Sequence, residues 1–423
     1  MKILLVNPWI YDFAAYDLWM KPLGLLYVAS FLEKFGHKVS LINCLDRYHP
    51  LLKEKYASKL PPARAYDCGK FFSTEVKKPP ILKDIPRRYK RHGIPLDIFE
   101  ECLRKIDPPD LIGVTSGMTY WYPGVFEAIK RLKGKFPKTP VVLGGIYATL
   151  CHEHATRYSG ADYVIKGQGE IKMLSIVDEI EGKKRDYSDI VSSKIIEDLI
   201  PAYHLLTKVK SVAILTSRGC PFSCSYCASS LLEPFFTQRS IEKVLKEINY
   251  YIKNFKVEDI AFYDDALLVN ASKHIIPLLK EIIKKFNKVR FHTPNGLHIR
   301  YINKEVAKLL YAANFKTIRL SFESANPQRQ RDSSGKVSGE DLLKAVDNLL
   351  SAGFKRKNLE TYIMVGLPGQ DIEEVTETLR FVHKAGAVIK IAEFSPIPGT
   401  EEFKKAIKEA PLLSKEPLLQ NNS

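Results

Sequence analysis

Two long stretches of the chain alternate short apolar runs with amphipathic helical patterns, and this alternation restricts the fold more than any other feature. The first stretch ends near residue 180, and the second runs from about residue 211 to residue 400. Strands that alternate with helices pair in parallel, because each helix returns the chain to the same edge of the sheet. The sequence therefore predicts an α/β protein with two parallel sheets.

In the first stretch, short glycine-bearing turns between the apolar runs predict an N-terminal doubly wound, Rossmann-like parallel sheet. Its five expected strands are Lys2–Val6, His37–Ile42, Leu111–Val114, Val141–Leu143 and Tyr163–Ile165. Ligands of such sheets bind at the carboxyl ends of the strands. No Gly-x-Gly-x-x-Gly follows the first strand, so the pattern disfavours a dinucleotide.

Glycine and hydroxyl residues follow the carboxyl ends of these strands. Such residues let backbone amides approach a phosphate or a large planar ring. The candidate ligand-binding residues of this sheet are Thr115, Ser116, Gly144, Gly145, Tyr147, Gly167, Gly169 and Glu170.

The second stretch contains six strand-then-helix units, which fit a partial (β/α)6 TIM-type barrel better than a full eight-unit barrel. The expected strands are Val212–Thr216, Asp259–Tyr263, Val289–His292, Thr317–Phe322, Thr361–Val365 and Val388–Phe394. Chemistry in this architecture collects at the carboxyl ends of the strands. The polar residues expected there are Asp264, Asp265, Asn295, Glu323 and the turn Gly366–Gly369.

These patterns divide the chain into a first domain at 1–180, a linker at 181–210, a barrel at 211–400 and a C-terminal tail at 401–423. An insertion at 47–108 interrupts the first domain between its second and third strands. Residues 51–91 within it account for half of the formal net charge of +16, because they hold twelve Lys and Arg against four acidic side chains. Its prolines indicate a segment with little regular structure.

Three closely spaced cysteines, Cys220, Cys224 and Cys227, are the strongest chemical signal. Seven cysteines do not suit a disulfide framework, and no apolar run approaches the ~18 residues of a membrane span. We therefore expect a cytoplasmic protein with reduced thiols. A zinc site needs a fourth ligand nearby, and the next histidine is His274. A [4Fe–4S] cluster with one open iron fits three cysteines better.

A CxxxCxxC segment on the loop after the first strand of a six-unit βα barrel is similar to that of the radical S-adenosylmethionine (SAM) superfamily. The resemblance covers roughly residues 211–400. It implies that the three cysteines hold a [4Fe–4S] cluster, whose reduction by an external electron donor cleaves SAM to a 5′-deoxyadenosyl radical. The residues expected to bind SAM are Tyr226, Asp264, Asp265, Asn295, Glu323, Met364, Gly366 and Pro396.

A doubly wound domain placed before such a barrel, with Pro22–Tyr27 opening its first helix, resembles the cobalamin-binding radical enzymes. The resemblance implies that cobalamin lies against the strand-end residues of the first sheet given above. Many cobalamin domains carry Asp-x-His-x-x-Gly, which is absent here, so the cobalt ligand stays unassigned. The alternative is a relic domain that no longer binds the cofactor.

Cobalamin-dependent methylation of an unactivated carbon is the leading hypothesis for the function. The alternatives are a rearrangement or C–C bond formation by a cobalamin-binding radical enzyme, radical modification of RNA, and a non-catalytic cofactor-binding protein. The basic insertion fits an anionic substrate or RNA, although no known RNA-binding module accompanies it. The substrate and the residues that act on it are not assigned by the sequence.

Overall fold

The computed structural model describes residues 1–188, 190, 198–333, 335 and 337–422. These residues form two compact units, the first comprising Met1–Val209 with Pro411–Asn421 and the second comprising Lys210–Ala410 with Asn422. Part of the linker expected at 181–210, namely residues 189 and 191–197, lies outside the described residues, as does the last residue of the expected tail. Both units combine helices with a parallel sheet, which confirms the α/β expectation.

The first unit is built on five parallel strands in the order β2-β1-β3-β4-β5. The strands are β1 Lys2–Asn7, β2 Lys38–Asn43, β3 Leu111–Val114, β4 Val141–Leu143 and β5 Tyr163–Val164. The helices are α1 Leu23–Lys34, α2 Pro50–Tyr56, α3 Leu96–Lys105, α4 Tyr122–Lys135, α5 Ile146–Leu150, α6 His152–Tyr158 and α7 Glu170–Ile180. Because the first strand is covered on both faces, its residues from Ile3 to Asn7 are all buried.

The insertion is more ordered than its composition predicts. Its strands Ser73–Glu75 and Lys90–His92 form an antiparallel hairpin, and Lys90–His92 also pairs with Ile10–Asp12 near the N-terminus. A further short strand, Gly69–Lys70, pairs with Tyr16–Asp17. The physical reason is apolar burial, because the insertion carries its own core side chains. They include Leu52, Phe71, Phe72, Leu82 and Tyr89.

The second unit is built on six parallel strands in sequential order, and a short seventh strand, Leu297–His298, pairs in parallel with the fourth. The strands are β6 Ser211–Ile214, β7 Asp259–Phe262, β8 Arg290–His292, β9 Phe315–Glu323, β10 Leu359–Val365 and β11 Val388–Glu393. The helices are α8 Ser229–Leu232, α9 Ile241–Phe255, α10 Ile275–Lys285, α11 Lys304–Ala312, α12 Pro327–Ser333, α13 Gly339–Ser351, α14 Ile372–Ala385 and α15 Glu401–Glu409. Short polar side chains begin five of these helices by accepting a backbone N–H. They are Ser240, Asn303, Ser338, Asp371 and Thr400.

The two faces of β9 differ in burial. Ile318, Leu320 and Phe322 are fully buried, whereas the residues that alternate with them are half-buried and polar. Within the described part of the chain, no helix has both the length and the apolar character needed to cross a bilayer.

Candidate functional site

The three cysteines lie on the loop that follows β6. A short hairpin between Ser217–Arg218 and Thr237–Gln238 closes the base of this loop. The loop begins at Gly219, whose φ of +71° suits glycine and whose added Cβ would lie 2.6 Å from the Phe235 carbonyl oxygen. The hairpin and the glycine turn therefore fix where the cysteine loop leaves the sheet.

The thiols of the loop have the chemistry of a ligand set, although no three His, Cys, Asp or Glu side chains of the described residues stand in an arrangement that could hold a metal ion. Cys220, Cys224 and Cys227 form no disulfide among the described residues and are only partly buried, and the Cys227 N–H donates to the Cys224 carbonyl at 3.0 Å, which makes a tight turn. The pKa of Cys220 is raised to about 11, chiefly by burial and to a lesser extent by the charges of Asp265 and the other two thiols, while a hydrogen bond from the Phe222 backbone opposes the rise. A cation at this loop would offset that cost, since metal binding to thiols releases their protons.

A carboxylate from the C-terminal helix α15 holds the cysteine loop at Ser225. The Ser225 hydroxyl donates to Glu402 Oε1 at 2.8 Å, and the Glu402 N–H donates to the Ser225 carbonyl at 3.0 Å. The Ser225 N–H donates to the Ser333 carbonyl at 2.6 Å. Glu402 is 3% exposed. Glu402 could not be predicted from the sequence, because the residues around it in α15 do not indicate that it contacts a loop some 180 residues earlier in the chain.

The adjacent carboxylates Asp264 and Asp265 occupy different environments at the end of β7. Asp264 is buried, and its carboxylate accepts from the Thr216 backbone N–H, from the Thr216 hydroxyl at 2.7 Å and from the Ser217 hydroxyl at 2.6 Å. Asp265 is exposed and accepts from the Ser229 hydroxyl at 2.9 Å. The Ser229 N–H in turn points to Cys227 Sγ at 3.5 Å. Asp264 thus joins β6 to β7, and Asp265 lies beside the cysteine loop.

Glu323 and Tyr226 form a pair next to the cysteine loop. Glu323 ends β9 at an irregularity in the pairing with β10, and its φ of +66° is a left-handed conformation that costs a non-glycine residue free energy. The Tyr226 hydroxyl hydrogen-bonds Glu323 and Cys224. Burial, followed by the Glu323 charge, raises the pKa of Tyr226 well above its ordinary value. The strained backbone therefore places a carboxylate against the residue between Cys224 and Cys227.

The turn after β10 is held by a residue to which the sequence analysis gave no role, Gln370. Its Oε1 accepts from the Gly366 N–H at 2.8 Å, and its Nε2 donates to the Met364 carbonyl at 3.1 Å. An amide can make both contacts at once, whereas a carboxylate can only accept. Gly366 itself has a φ of +89°. The side chain of Gln370 therefore sets the backbone of the expected SAM-binding segment.

The other two expected SAM residues follow two further strands, β8 and β11. Asn295 follows β8 and donates to the Tyr263 carbonyl at 2.9 Å, which links the ends of β7 and β8. Pro396 is buried in the segment that follows β11. In the second unit, the predicted SAM residues thus lie at the carboxyl edge of the sheet. Asp264 differs from the others because its carboxylate accepts hydrogen bonds from the end of the neighbouring strand.

In the first unit, the expected cobalamin residues meet at the carboxyl edge of β3 and β4. The Ser116 hydroxyl donates to the Gly144 carbonyl at 2.7 Å and accepts from the Ala148 N–H at 3.2 Å. A Cβ on Gly145, whose φ is +97°, would lie 2.4 Å from the Ser116 carbonyl oxygen. These contacts join the turns after β3 and β4 into a glycine-lined ledge, in which Gly145 packs against the Ser116 backbone.

Two of the predicted residues lie beneath or beside this ledge. Tyr147 is fully buried, and its hydroxyl hydrogen-bonds His154 Nδ1 at 2.6 Å, so it supports the ledge from within the core. Glu170 begins α7 and is buried. Of the others, Thr115, Gly167 and Gly169 are half-buried in strand-end loops, and the Gly167 N–H donates to the Thr149 hydroxyl at 3.0 Å.

Two segments of the chain match known family models. Residues 214–382 match the radical SAM superfamily, and residues 94–177 match the B12 binding domain. The first match contains all three cysteines and most of the expected SAM residues. The second contains the glycine-lined ledge.

Curated relatives match most of the chain at low identity. An uncharacterized methyltransferase of Pyrococcus horikoshii is 27% identical over 344 residues, which cover 74% of this chain and 72% of the relative. The cytidylyl-2-hydroxyethylphosphonate methyltransferase of Streptomyces wedmorensis is 21% identical over 477 residues, covering 96% and 82%. The hopanoid C-3 methylase of Methylococcus capsulatus is 20% identical, covering 95% and 72%.

Solved structures share the fold. The radical SAM methyltransferase TsrM from Kitasatospora setae, solved with its tryptophan substrate and a SAM analogue, superposes with a TM-score of 0.70 at 17% identity, covering 96% of this chain and 76% of its own. The cobalamin-dependent SAM radical enzyme OxsB superposes with a TM-score of 0.60 at 15% identity, covering 99% and 56%.

Proposed function

We propose that this chain, which belongs to the radical SAM superfamily and carries a B12-binding domain, is a cobalamin-dependent radical SAM methyltransferase that methylates an unactivated carbon. The observation that carries the proposal is the joint match of both family models in one chain, with three cysteines on the loop after β6. The cofactors are a [4Fe–4S] cluster, SAM and cobalamin. When bound, the reduced cluster with SAM supplies a 5′-deoxyadenosyl radical and cobalamin supplies the methyl group.

We propose that Cys220, Cys224 and Cys227 hold the cluster and that the SAM site is formed by polar groups around them. Asp265 and the Tyr226–Glu323 pair lie close enough to the cysteine loop to receive the polar end of SAM. Met364, Gly366, Asn295 and Pro396 would receive the remainder. We do not include Asp264 in the SAM site, because its carboxylate already accepts hydrogen bonds from three donors in the Thr216–Ser217 segment.

For cobalamin, we propose the ledge formed by Thr115, Ser116, Gly144 and Gly145 as the contact surface, with Gly167, Gly169 and Glu170 at its side. Backbone amides and hydroxyls there would orient the corrin ring. The buried ring of Tyr147 would keep the ledge rigid.

The strand orders support a finer description of the fold. We propose that residues 1–180 form a doubly wound, Rossmann-like domain with its insertion at 47–108. The linker at 181–210 then leads to a partial (β/α)6 barrel at 211–400, and residues 401–423 form the C-terminal segment. The order β2-β1-β3-β4-β5 is that of flavodoxin-like sheets, in which ligands bind at the carboxyl ends between β1 and β3. Seven free thiols favour a cytoplasmic location.

The test of this function is anaerobic reconstitution with iron and sulfide, followed by SAM and a strong reductant. We expect 5′-deoxyadenosine from the reconstituted chain and none from a Cys224→Ala variant. Cobalamin should bind at one per chain. A reconstituted chain that makes no 5′-deoxyadenosine would contradict the radical enzyme, whereas a chain that makes it but binds no cobalamin would leave only the relic-domain alternative.

With candidate substrates, SAM carrying a labelled methyl group distinguishes methylation from the other radical reactions. A methylation product gains the label. A rearranged or C–C-coupled product without the label would overturn the methyltransferase proposal while retaining the radical chemistry.

A further inference from the structure

A basic loop projects from the insertion of the first unit. Residues 77–88 close the hairpin between Ser73–Glu75 and Lys90–His92, and the Val76 N–H donates to the Tyr89 carbonyl at 3.0 Å at the base of the loop. The loop carries five Lys and Arg residues and a single acidic residue, Asp84. We refer to it as the 77–88 loop.

One apolar side chain of the 77–88 loop is buried in the core, and the residue before it exposes another apolar side chain to solvent. Leu82 is 2% exposed and packs with Phe13, Tyr89 and Leu418 in a small core cluster. Its neighbour Ile81 is 42% exposed, although both lie in the same short helical turn, Pro80–Leu82. Because Leu82 holds the turn against the core, Ile81 is presented to solvent by a fixed backbone.

Positive charge surrounds this exposed isoleucine. Lys77 and Lys83 flank the turn, and both are exposed. Arg87 and Arg88 follow in the same loop and are exposed as well. Arg88 approaches Glu75 at 3.5 Å, but both side chains are mostly exposed, so this pair neutralises little of the loop's field.

Among the aromatic residues of the insertion, Phe71, Phe72 and Tyr89 do not accompany this charge to the surface, whereas Tyr48, Tyr56 and Tyr66 are half-buried. Phe71, Phe72 and Tyr89 are at most 7% exposed and belong to the core. Proteins that bind single-stranded RNA stack exposed rings on bases, and these three rings are not available for that purpose. An exposed aliphatic side chain framed by lysines is instead the arrangement that inserts at the interface of an anionic bilayer.

We propose that the 77–88 loop docks the enzyme on an anionic lipid bilayer, with Ile81 entering the headgroup boundary and Lys77, Lys83, Arg87 and Arg88 facing the lipid phosphates. This inference is independent of the proposed methyl transfer. It concerns where the enzyme works rather than which bond it makes.

The test is co-sedimentation of the full-length reconstituted chain with vesicles of pure phosphatidylcholine or of phosphatidylcholine with phosphatidylglycerol. We expect binding to the anionic vesicles only, weakening as salt rises. Lys77→Ala with Lys83→Ala should lower the partition coefficient roughly tenfold or more, since each cation near the surface contributes about 1 kcal/mol. Ile81→Ser should lower it several-fold.

Matched controls remove the same groups elsewhere. Lys304→Ala with Lys308→Ala removes two exposed charges from α11, and Leu343→Ser removes a 47% exposed leucine from α13; both should bind like the parent chain. Equal losses in the loop and control variants would overturn the proposal, as would binding of neutral and anionic vesicles alike. Binding of a single-stranded RNA that depends on the loop, without vesicle binding, would assign the loop to RNA instead.

Discussion

In the second unit, the adjacent aspartates Asp264 and Asp265 at the end of β7 have different roles. Asp264 is enclosed and accepts three hydrogen bonds from the Thr216–Ser217 segment, whereas Asp265 is open to solvent next to Ser229 and the cysteine loop. Successive side chains of an extended segment point to opposite sides, so one position faces the sheet interior and the next faces the site. A pair of identical carboxylates therefore divides into one that joins strands and one available to a ligand.

Substitution of the two aspartates should separate stability from ligand binding. Asp264→Asn replaces an acceptor by an amide that faces hydroxyl and N–H donors, and we expect the free energy of unfolding to fall by about 2–4 kcal/mol. Asp265→Asn should leave stability within about 0.5 kcal/mol and weaken SAM binding. Urea unfolding and equilibrium SAM binding measure the two effects. Equal destabilisation by both substitutions would contradict the division of roles.

Glu402 illustrates a residue that acts on the cluster loop from a distant part of the chain. Its carboxylate receives the Ser225 hydroxyl and the Lys405 ammonium at Oε1, while Oε2 is buried and has no hydrogen-bond partner among the described residues. Burying a carboxylate costs free energy unless hydrogen bonds or an opposite charge offset its lost hydration. Glu402 receives such a hydrogen bond from Ser225, which lies between the second and third cysteines.

We expect Glu402→Ala to loosen the cysteine loop and to raise the rate of iron loss from the reconstituted chain to a chelator roughly tenfold or more, as loss of outer-shell contacts does in other metal sites. The visible absorbance of the cluster follows this loss. Glu401→Ala is the matched control, because Glu401 is exposed and pairs only with Lys404 across one helical turn. Identical iron loss in both variants would assign Glu402 to helix stability alone.

At the scale of elements, strands with continuous apolar runs could be predicted closely from the sequence. Leu111–Val114 and Val141–Leu143 have the bounds that their apolar residues predict. The strands Ile10–Asp12 and Lys90–His92 could not, because their pairing joins segments about 80 residues apart and neither has a strand pattern of its own. Local patterns report burial on a face, whereas such edge pairings depend on where the rest of the chain has placed a partner.

The turn after β10 depends on one side chain with both a donor and an acceptor. Gln370→Glu keeps the acceptor for Gly366 but places a carboxylate oxygen against the Met364 carbonyl and near Glu374. We expect the turn to open and the affinity for SAM to fall about tenfold, in line with one lost hydrogen bond and one buried unpaired acceptor. Isothermal titration with SAM measures the change.

Gln328→Glu is the control for this substitution, because it introduces the same charge on the exposed surface of α12. SAM affinity in the control should match that of the parent chain. An unchanged affinity in Gln370→Glu, with cluster content equal to the parent, would show that the turn does not contribute to the SAM site.

On the scale of the whole molecule, the first unit is assembled from both ends of the chain. The segment Pro411–Asn421 belongs to it by its contacts, although the preceding helix α15 belongs to the second unit. Within the first unit, the Tyr122 hydroxyl donates to Glu416 at 3.0 Å and the Asn421 amide donates to Asp12 at 2.9 Å. The sequence predicted only a tail here, because a segment of two short helical turns has no periodicity that indicates its partner.

Because Pro411–Asn421 is part of the first unit, we expect one apolar side chain in this segment to contribute strongly to the stability of that unit. Leu418 is 4% exposed and packs with Phe13, Leu82 and Tyr89, so Leu418→Ala should lower the free energy of unfolding of that unit by about 2–4 kcal/mol. Leu412→Ala removes a leucine that is 58% exposed in the same segment, and it should cost less than about 0.5 kcal/mol. Hydrogen exchange resolved by peptide distinguishes the units, since protection should fall in β1 to β5 and stay unchanged in β6 to β11. Equal losses in the two leucine variants, or a loss of protection confined to the second unit, would mean that the C-terminal segment does not stabilise the first unit.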